Sequence, residues 1–272
     1  MLVIKEAKVG KATVKVGTTA KGFAAVVNEN GQRKLYIEGD DPDRLWMQAQ
    51  DAAVRLNPLF VGYDGARKRF LSFFPEGFSD PKYVTKERAY KLEPKSKLDL
   101  AVPLKTALTG TGSGEAILSV YRATSLLSPF EKTKLQPLLR GQHADDFIRA
   151  AAAFAKDPTN QHLVALRAIL KPYDSAKWTV VTYLPFLWRP EVHVFLKPTM
   201  ITNFASRVGH RFADVYSPDL DIAVYECLLN LGAEVRQKME DLAPQDMIDV
   251  QSFMWTSVEY TEADRADYEG AK

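Results

Sequence analysis

The sequence predicts an α+β fold, a small N-terminal β-β-β-α region followed by a larger, mostly helical domain. Three observations carry this. The first forty residues alternate polar and apolar side chains in short runs separated by turn residues. Asp40-Asp41-Pro42-Asp43 then supplies a helix start, with a side-chain cap, an early proline and negative charge in the first turn. From Glu115 onward, apolar residues recur at helical spacing, and the runs stop at prolines and at Gly141.

Each element follows from local pattern. Lys11–Val16 alternates as a half-buried strand should, and Gly22–Val27 reads as a second strand. Asn30-Gly31 tolerates positive φ and predicts a tight turn into a third strand, Arg33–Ile37. Leu45, Trp46, Ala49, Ala52, Ala53 and Leu56 share one helical face, and Asn57-Pro58 closes that helix. Residues 65–74 predict a short amphipathic helix stopped by Pro75, and Asp80-Pro81 predicts the start of another through Tyr83–Leu92. Helices are expected over 115–127, 130–140, 144–156, 159–170, 199–208, 219–241 and 244–256. The charged tail from Glu262 to Lys272 is expected to fray. Gly110-Thr-Gly-Ser-Gly114 reads as a flexible linker, which divides the chain into a basic α+β domain, 1–104, and a helical domain, 115–260.

The stretch Lys177–Pro198 holds two of the four tryptophans, one of the four histidines and three prolines. Aromatic groups bury large areas and Trp needs a partner for its N–H. This stretch is therefore the expected core of the C-terminal half, set beside something polar. Composition agrees with a globular protein: 46% of residues are hydrophobic and 26% charged, enough to bury a sizeable core. No apolar run reaches eighteen residues, so no membrane partner is expected, and the N-terminus lacks an apolar run of signal-peptide length, so a cytoplasmic location is expected. The single cysteine, Cys227, lies in an apolar helical pattern and reads as a buried thiol.

Net charge is +2, unevenly spread: residues 1–100 carry 18 Lys and Arg against 13 Asp and Glu. Arg67, Lys68 and Arg69 stand close to Phe70, Phe73 and Phe74, and Lys86, Tyr90 and Lys91 continue the positive, aromatic character. Cations at this spacing neutralise phosphates, and rings such as Phe73 or Tyr90 stack on unpaired bases. The competing reading is a solvated basic face over a Phe core.

Other constellations point away from catalysis. Gly110–Gly114 lacks the Gly-Lys-Ser/Thr ending of a phosphate loop, and Glu115 puts negative charge where phosphate would sit. Glu93-Pro94-Lys95 has the letters of a metal-dependent nuclease, with Asp64 or Asp80 upstream, but Pro94 cannot donate to a sheet. His143, His162, His193 and His210 show no i,i+4 zinc spacing, and no Gly-x-Ser-x-Gly elbow occurs. His193 and His210, with Asp214, Asp219 and Asp221 nearby, read as structural. Asp246, Asp249 and Gln251 read as a polar clamp that bonds backbone or an arginine such as Arg189 or Arg211. No catalytic residue, metal or cofactor is assigned.

Lys177–Leu187, His193–Pro198, Val208–Phe212 and Asp246–Trp255 together resemble an uncharacterised module of bacterial proteins, some of them restriction- or defence-linked. The resemblance covers residues 175–257 and implies a bacterial origin and a nucleic-acid setting, with no catalytic residue to carry over. The function expected from sequence is a non-catalytic nucleic-acid-binding or partner-binding subunit of a bacterial, defence-related system. DNA or RNA, or a protein, would be its partner, and Arg67, Lys68, Arg69, Phe73, Lys86, Tyr90 and Lys91 its contacts. The alternatives are a metal-dependent nuclease or phosphodiesterase, and a protein-interaction module docking through Trp188–Phe195.

Overall fold

The computed structural model describes residues 1–57, 59–261 and 263–264. It has the expected α+β architecture, a four-stranded antiparallel sheet and one helix followed by a mostly helical region. Pro58 and most of the Glu262–Lys272 tail lie outside the described residues.

The chain forms two compact units, one of residues 1–66 with 202–216, the other of 67–201 with 217–272. In the first unit, strands β1 (Leu2–Val9), β2 (Ala12–Thr19), β3 (Gly22–Glu29) and β4 (Gln32–Gly39) pair in sequence order. Two-residue turns join them, and Asn30 and Gly31 take φ of 50° and 75°, as the Asn-Gly turn requires. The register places Val14 opposite Val27 and Val16 opposite Ala25, so the apolar positions of neighbouring strands share one face. That face packs on α1 (Pro42–Arg55) through Leu45, Trp46, Ala49 and Ala53. Asp41 caps α1, accepting from the amides of Asp43 at 2.9 Å and Arg44 at 3.1 Å. Strand β1 is absent from the sequence reading. Its residues 2–6 are exposed, so no alternation marks it, and backbone pairing at the sheet edge holds it.

The second unit is built round helix Trp178–Trp188, whose eleven residues are all buried. The sequence reading assigns no helix here because a helix with no polar face carries no amphipathic period. The two indoles find their partners: Trp178 Nε1 donates to the Ser217 carbonyl at 2.8 Å, and Trp188 Nε1 to that of Val102 at 2.9 Å. The other expected helices form within a few residues of their expected ends, and Cys227 is buried.

The Gly110–Gly114 stretch lies inside the second unit, whereas the sequence reading places the domain boundary there. It is a packed loop: the Gly112 amide donates to Asp145 at 2.8 Å, and Gly114 is buried against the Leu139 carbonyl.

His193 is fully buried. Nε2 meets the Ala155 carbonyl at 2.7 Å and Nδ1 the Tyr225 hydroxyl at 2.7 Å, so a neutral ring donates at one nitrogen and accepts at the other. Burial pushes this imidazole below its ordinary value. The neutral form is thus favoured by folding. Its contribution is complete above the unfolded value of about 6.5 and is lost as pH falls below it. The urea midpoint of the helical unit is expected to drop between neutral and mildly acid pH, and His193→Gln to flatten that drop. An unchanged pH slope in the variant would remove His193 as the cause.

Candidate ligand site in the helical unit

Asp80 caps the first turn after Pro75 with a 2.9 Å bond from the Lys82 amide, and Pro81 follows it. The chain then runs through one π turn, Val84–Arg88, into helix Ala89–Ala101. Such turns carry one residue too many for a regular helix and cluster at functional sites. Glu87, Arg88 and Lys91 are all buried on this segment. They face helix Met247–Glu259, on which Asp249 and Ser252 are also buried.

Two charge clusters result. Arg88 Nη1 bonds Asp249 at 2.5 Å, and its Nη2 bonds Asp246 at 2.7 Å. The Tyr83 hydroxyl donates to one Asp249 oxygen at 2.5 Å, and the Gln245 backbone N–H donates to the other at 2.8 Å. Burial, then the Asp249 charge and its hydrogen bond, hold the Tyr83 phenol far above its ordinary range. In the second cluster the Lys91 ammonium donates to the Glu87 carbonyl at 2.8 Å, the Glu87 carboxylate at 3.0 Å and the Ser252 hydroxyl at 2.9 Å. Its three protons are thereby used. The second Glu87 oxygen accepts from Tyr260 at 2.6 Å. Burial pushes the Lys91 ammonium below its ordinary value, and Glu87 opposes that shift. Buried ion pairs of this kind add little net stability over well-packed apolar side chains, so stability alone does not account for them.

Beside the second cluster is a cavity of 260 Å³. Tyr90, Lys91, Lys197, Met200, Gln251 and Trp255 contribute to its wall. Lys197 Nζ stands 4.4 Å from the Trp255 ring centre and Lys91 Nζ 4.4 Å from that of Tyr90. Gln251 is 2% exposed, and its Oε1 has no hydrogen-bond partner among the described residues. An unmet buried amide is expensive, and this one lines a cavity.

The seven residues expected to grip phosphates are placed differently. Lys91 is buried in the ion cluster against Ser252, and Phe73 is buried against Tyr260, so neither side chain lies on the surface where the sequence places it. Arg67 pairs with Asp241, and Arg69 bonds the Tyr260 carbonyl while lying 5.8 Å from the Phe73 ring. Lys68 and Lys86 are exposed, and Tyr90 is half-buried at the cavity. The carboxylates of the expected clamp find Arg88; Arg189 instead pairs with Glu191 and bonds the carbonyls of Ala155 and Lys156. Trp188, Val194 and Phe195 are core residues, and within Trp188–Phe195 it is Glu191, with Arg189 and Val192 in part, that reaches the surface. Glu93 and Lys95 sit on a helix, paired with Lys97 and Asp99, not at the strand edge a metal nuclease needs. Lys197 and Trp255 were missed as site residues, although both lie in stretches the sequence reading singles out. Glu87 and Arg88 carried no signal beyond charge.

The first unit holds a larger cavity, 680 Å³, beside the β1–β2 turn. Several of its polar groups are met: Asp214 accepts from Gly10 at 2.8 Å, Ser206 from Asn57 at 2.8 Å, and His210 Nδ1 from the Phe212 amide at 3.1 Å. Size favours this cavity, but chemistry favours the smaller one, where a buried polar group is left unmet. Comparison with protein families, characterised proteins and solved structures finds no match to this chain.

Proposed function

We propose that the protein binds a small polar molecule in the cavity bounded by Gln251, Lys197 and Trp255, and acts as a ligand-binding subunit rather than by covalent chemistry. The observation that supports this most is the unpartnered Gln251 amide oxygen in a buried wall. A group kept for a ligand is a burden to the empty protein. Gln251→Leu is therefore expected to leave the apo protein equally stable or to stabilise it, by up to about 1–3 kcal/mol, the cost of an unmet buried polar group. If the variant instead lost more than about 1 kcal/mol in urea unfolding, the amide would be structural and the reading would fail.

A second reading is polyanion binding in the defence-related setting that the resemblance implies. It is favoured by the exposure of Lys68 and Lys86, and with so few contacts it requires weak binding with a shallow salt dependence. Anisotropy of labelled DNA and RNA oligonucleotides, in the same preparations, separates the two. Binding at low salt that Lys68→Ala and Lys86→Ala abolish supports the second, and no binding at low salt removes it.

A further inference from the structure

Resting on the ligand-binding reading above, we infer that the ligand is a small hydroxycarboxylic acid, its carboxylate held by Lys197 and its hydroxyl donating to Gln251. Charge comes first. Lys91 and Lys197 line the cavity, and among the described residues no Asp or Glu does. Glu87, the carboxylate bonded to Lys91, has one oxygen on Lys91 and the other on Tyr260. Lys91 has spent its protons on protein acceptors. Lys197 has not: its ammonium rests over Trp255, and no acceptor lies within hydrogen-bonding distance of it among the described residues. The cavity therefore offers one available cation, which selects an anion.

The second polar requirement lies one turn away. Gln251 and Trp255 are four residues apart on helix Met247–Glu259 and so share a face. The Lys197 and Gln251 side chains thus both border the one cavity. An oxygen acceptor asks for a donor, and a hydroxyl supplies one. Between these poles Met200, Trp255 and the Tyr90 ring make an apolar wall. At 260 Å³ the cavity lies just below the usual range of small-molecule pockets, about 300–1,000 Å³, so the ligand is small.

The test is calorimetric titration of the full chain with 4-hydroxybenzoate, 6-hydroxyhexanoate, the neutral isostere 4-hydroxybenzamide and the cation 4-hydroxybenzylamine. At least one carboxylate is expected to bind about tenfold more tightly than the neutral amide, the margin of a charge-assisted over a neutral bond. Lys197→Met is expected to erase that margin and Lys197→Arg to keep it, with melting temperatures showing both variants folded. Equal or tighter binding of the amide or the amine, lost in Gln251→Leu, overturns the carboxylate assignment and leaves the ligand-binding reading standing. Carboxylate binding untouched by Lys197→Met also overturns the assignment. No binding by any of the four at millimolar concentration overturns it too, and the Gln251→Leu stability measurement then judges the ligand-binding reading separately.

Discussion

Replacing Asp249 with alanine is expected to destabilise the helical unit by about 3–5 kcal/mol, the usual result of removing one partner from a buried ion pair. Three groups lose their acceptor together. The Arg88 guanidinium keeps only Asp246, which is partly solvated and also caps helix Met247–Glu259 through the Ile248 amide at 2.9 Å. The Tyr83 hydroxyl, fully buried among Phe70, Phe74 and Phe78, has no water to turn to. The Gln245 amide loses its bond at the helix entry. Urea unfolding followed by far-ultraviolet circular dichroism reads the change, because the helical unit dominates that signal. Arg88→Met combined with Asp249→Leu is expected to recover part of the loss, since the buried guanidinium is removed with its partner, while Asp246 loses its cation and Tyr83 still lacks the Asp249 acceptor. A loss below about 1 kcal/mol in Asp249→Ala would mean that water reaches the cluster and screens its charges.

The contrast between this cluster and the sheet shows what the sequence could reveal. Strand periodicity, the Asn30-Gly31 turn and the Asp41 cap are local, so the residues that decide them stand within a few positions of each other. Strand β1 has no such mark, because an exposed edge imposes no alternation. Helix Trp178–Trp188 hides for the opposite reason, being buried on every side. The candidate site depends on pairings across long separations: Arg88 with Asp246, Lys91 with Ser252, Lys197 with Trp255. Nothing in the local pattern of Lys91 tells a buried ion pair from a phosphate contact, since both need a cation four residues from another polar group. Tyr90 and Lys91 therefore read as surface contacts in the sequence, and the structure places them at the wall of a cavity. The Asp246–Gln251 clamp was legible as a polar group in a helical core, but its arginine was not.

The glycine stretch at 110–114 gives the second large expected effect. A methyl group on Gly114 would lie 2.0 Å from the Leu139 carbonyl oxygen and 3.3 Å from the Ala144 side chain. A backbone oxygen at the end of helix Pro129–Leu139 has no rotamer by which to move aside. Gly114→Ala must therefore push helix Gly114–Ala123 off its neighbour, and a loss of about 3 kcal/mol or more is expected, at the upper end for overpacked cores. Gly112 is the internal control. It takes a φ of 74°, yet a methyl group there meets nothing within 4 Å. Gly112→Ala is therefore charged only with the backbone strain of a left-handed residue, about 1 kcal/mol. Thermal melts of the two variants separate three accounts of one motif. A flexible linker tolerates both changes. A phosphate cradle loses binding and keeps its stability, although here the Gly112 amide already serves Asp145 and Glu115 pairs with Arg140. A packing contact makes Gly114→Ala much the worse of the two, and equal melting temperatures for both variants would rule that account out.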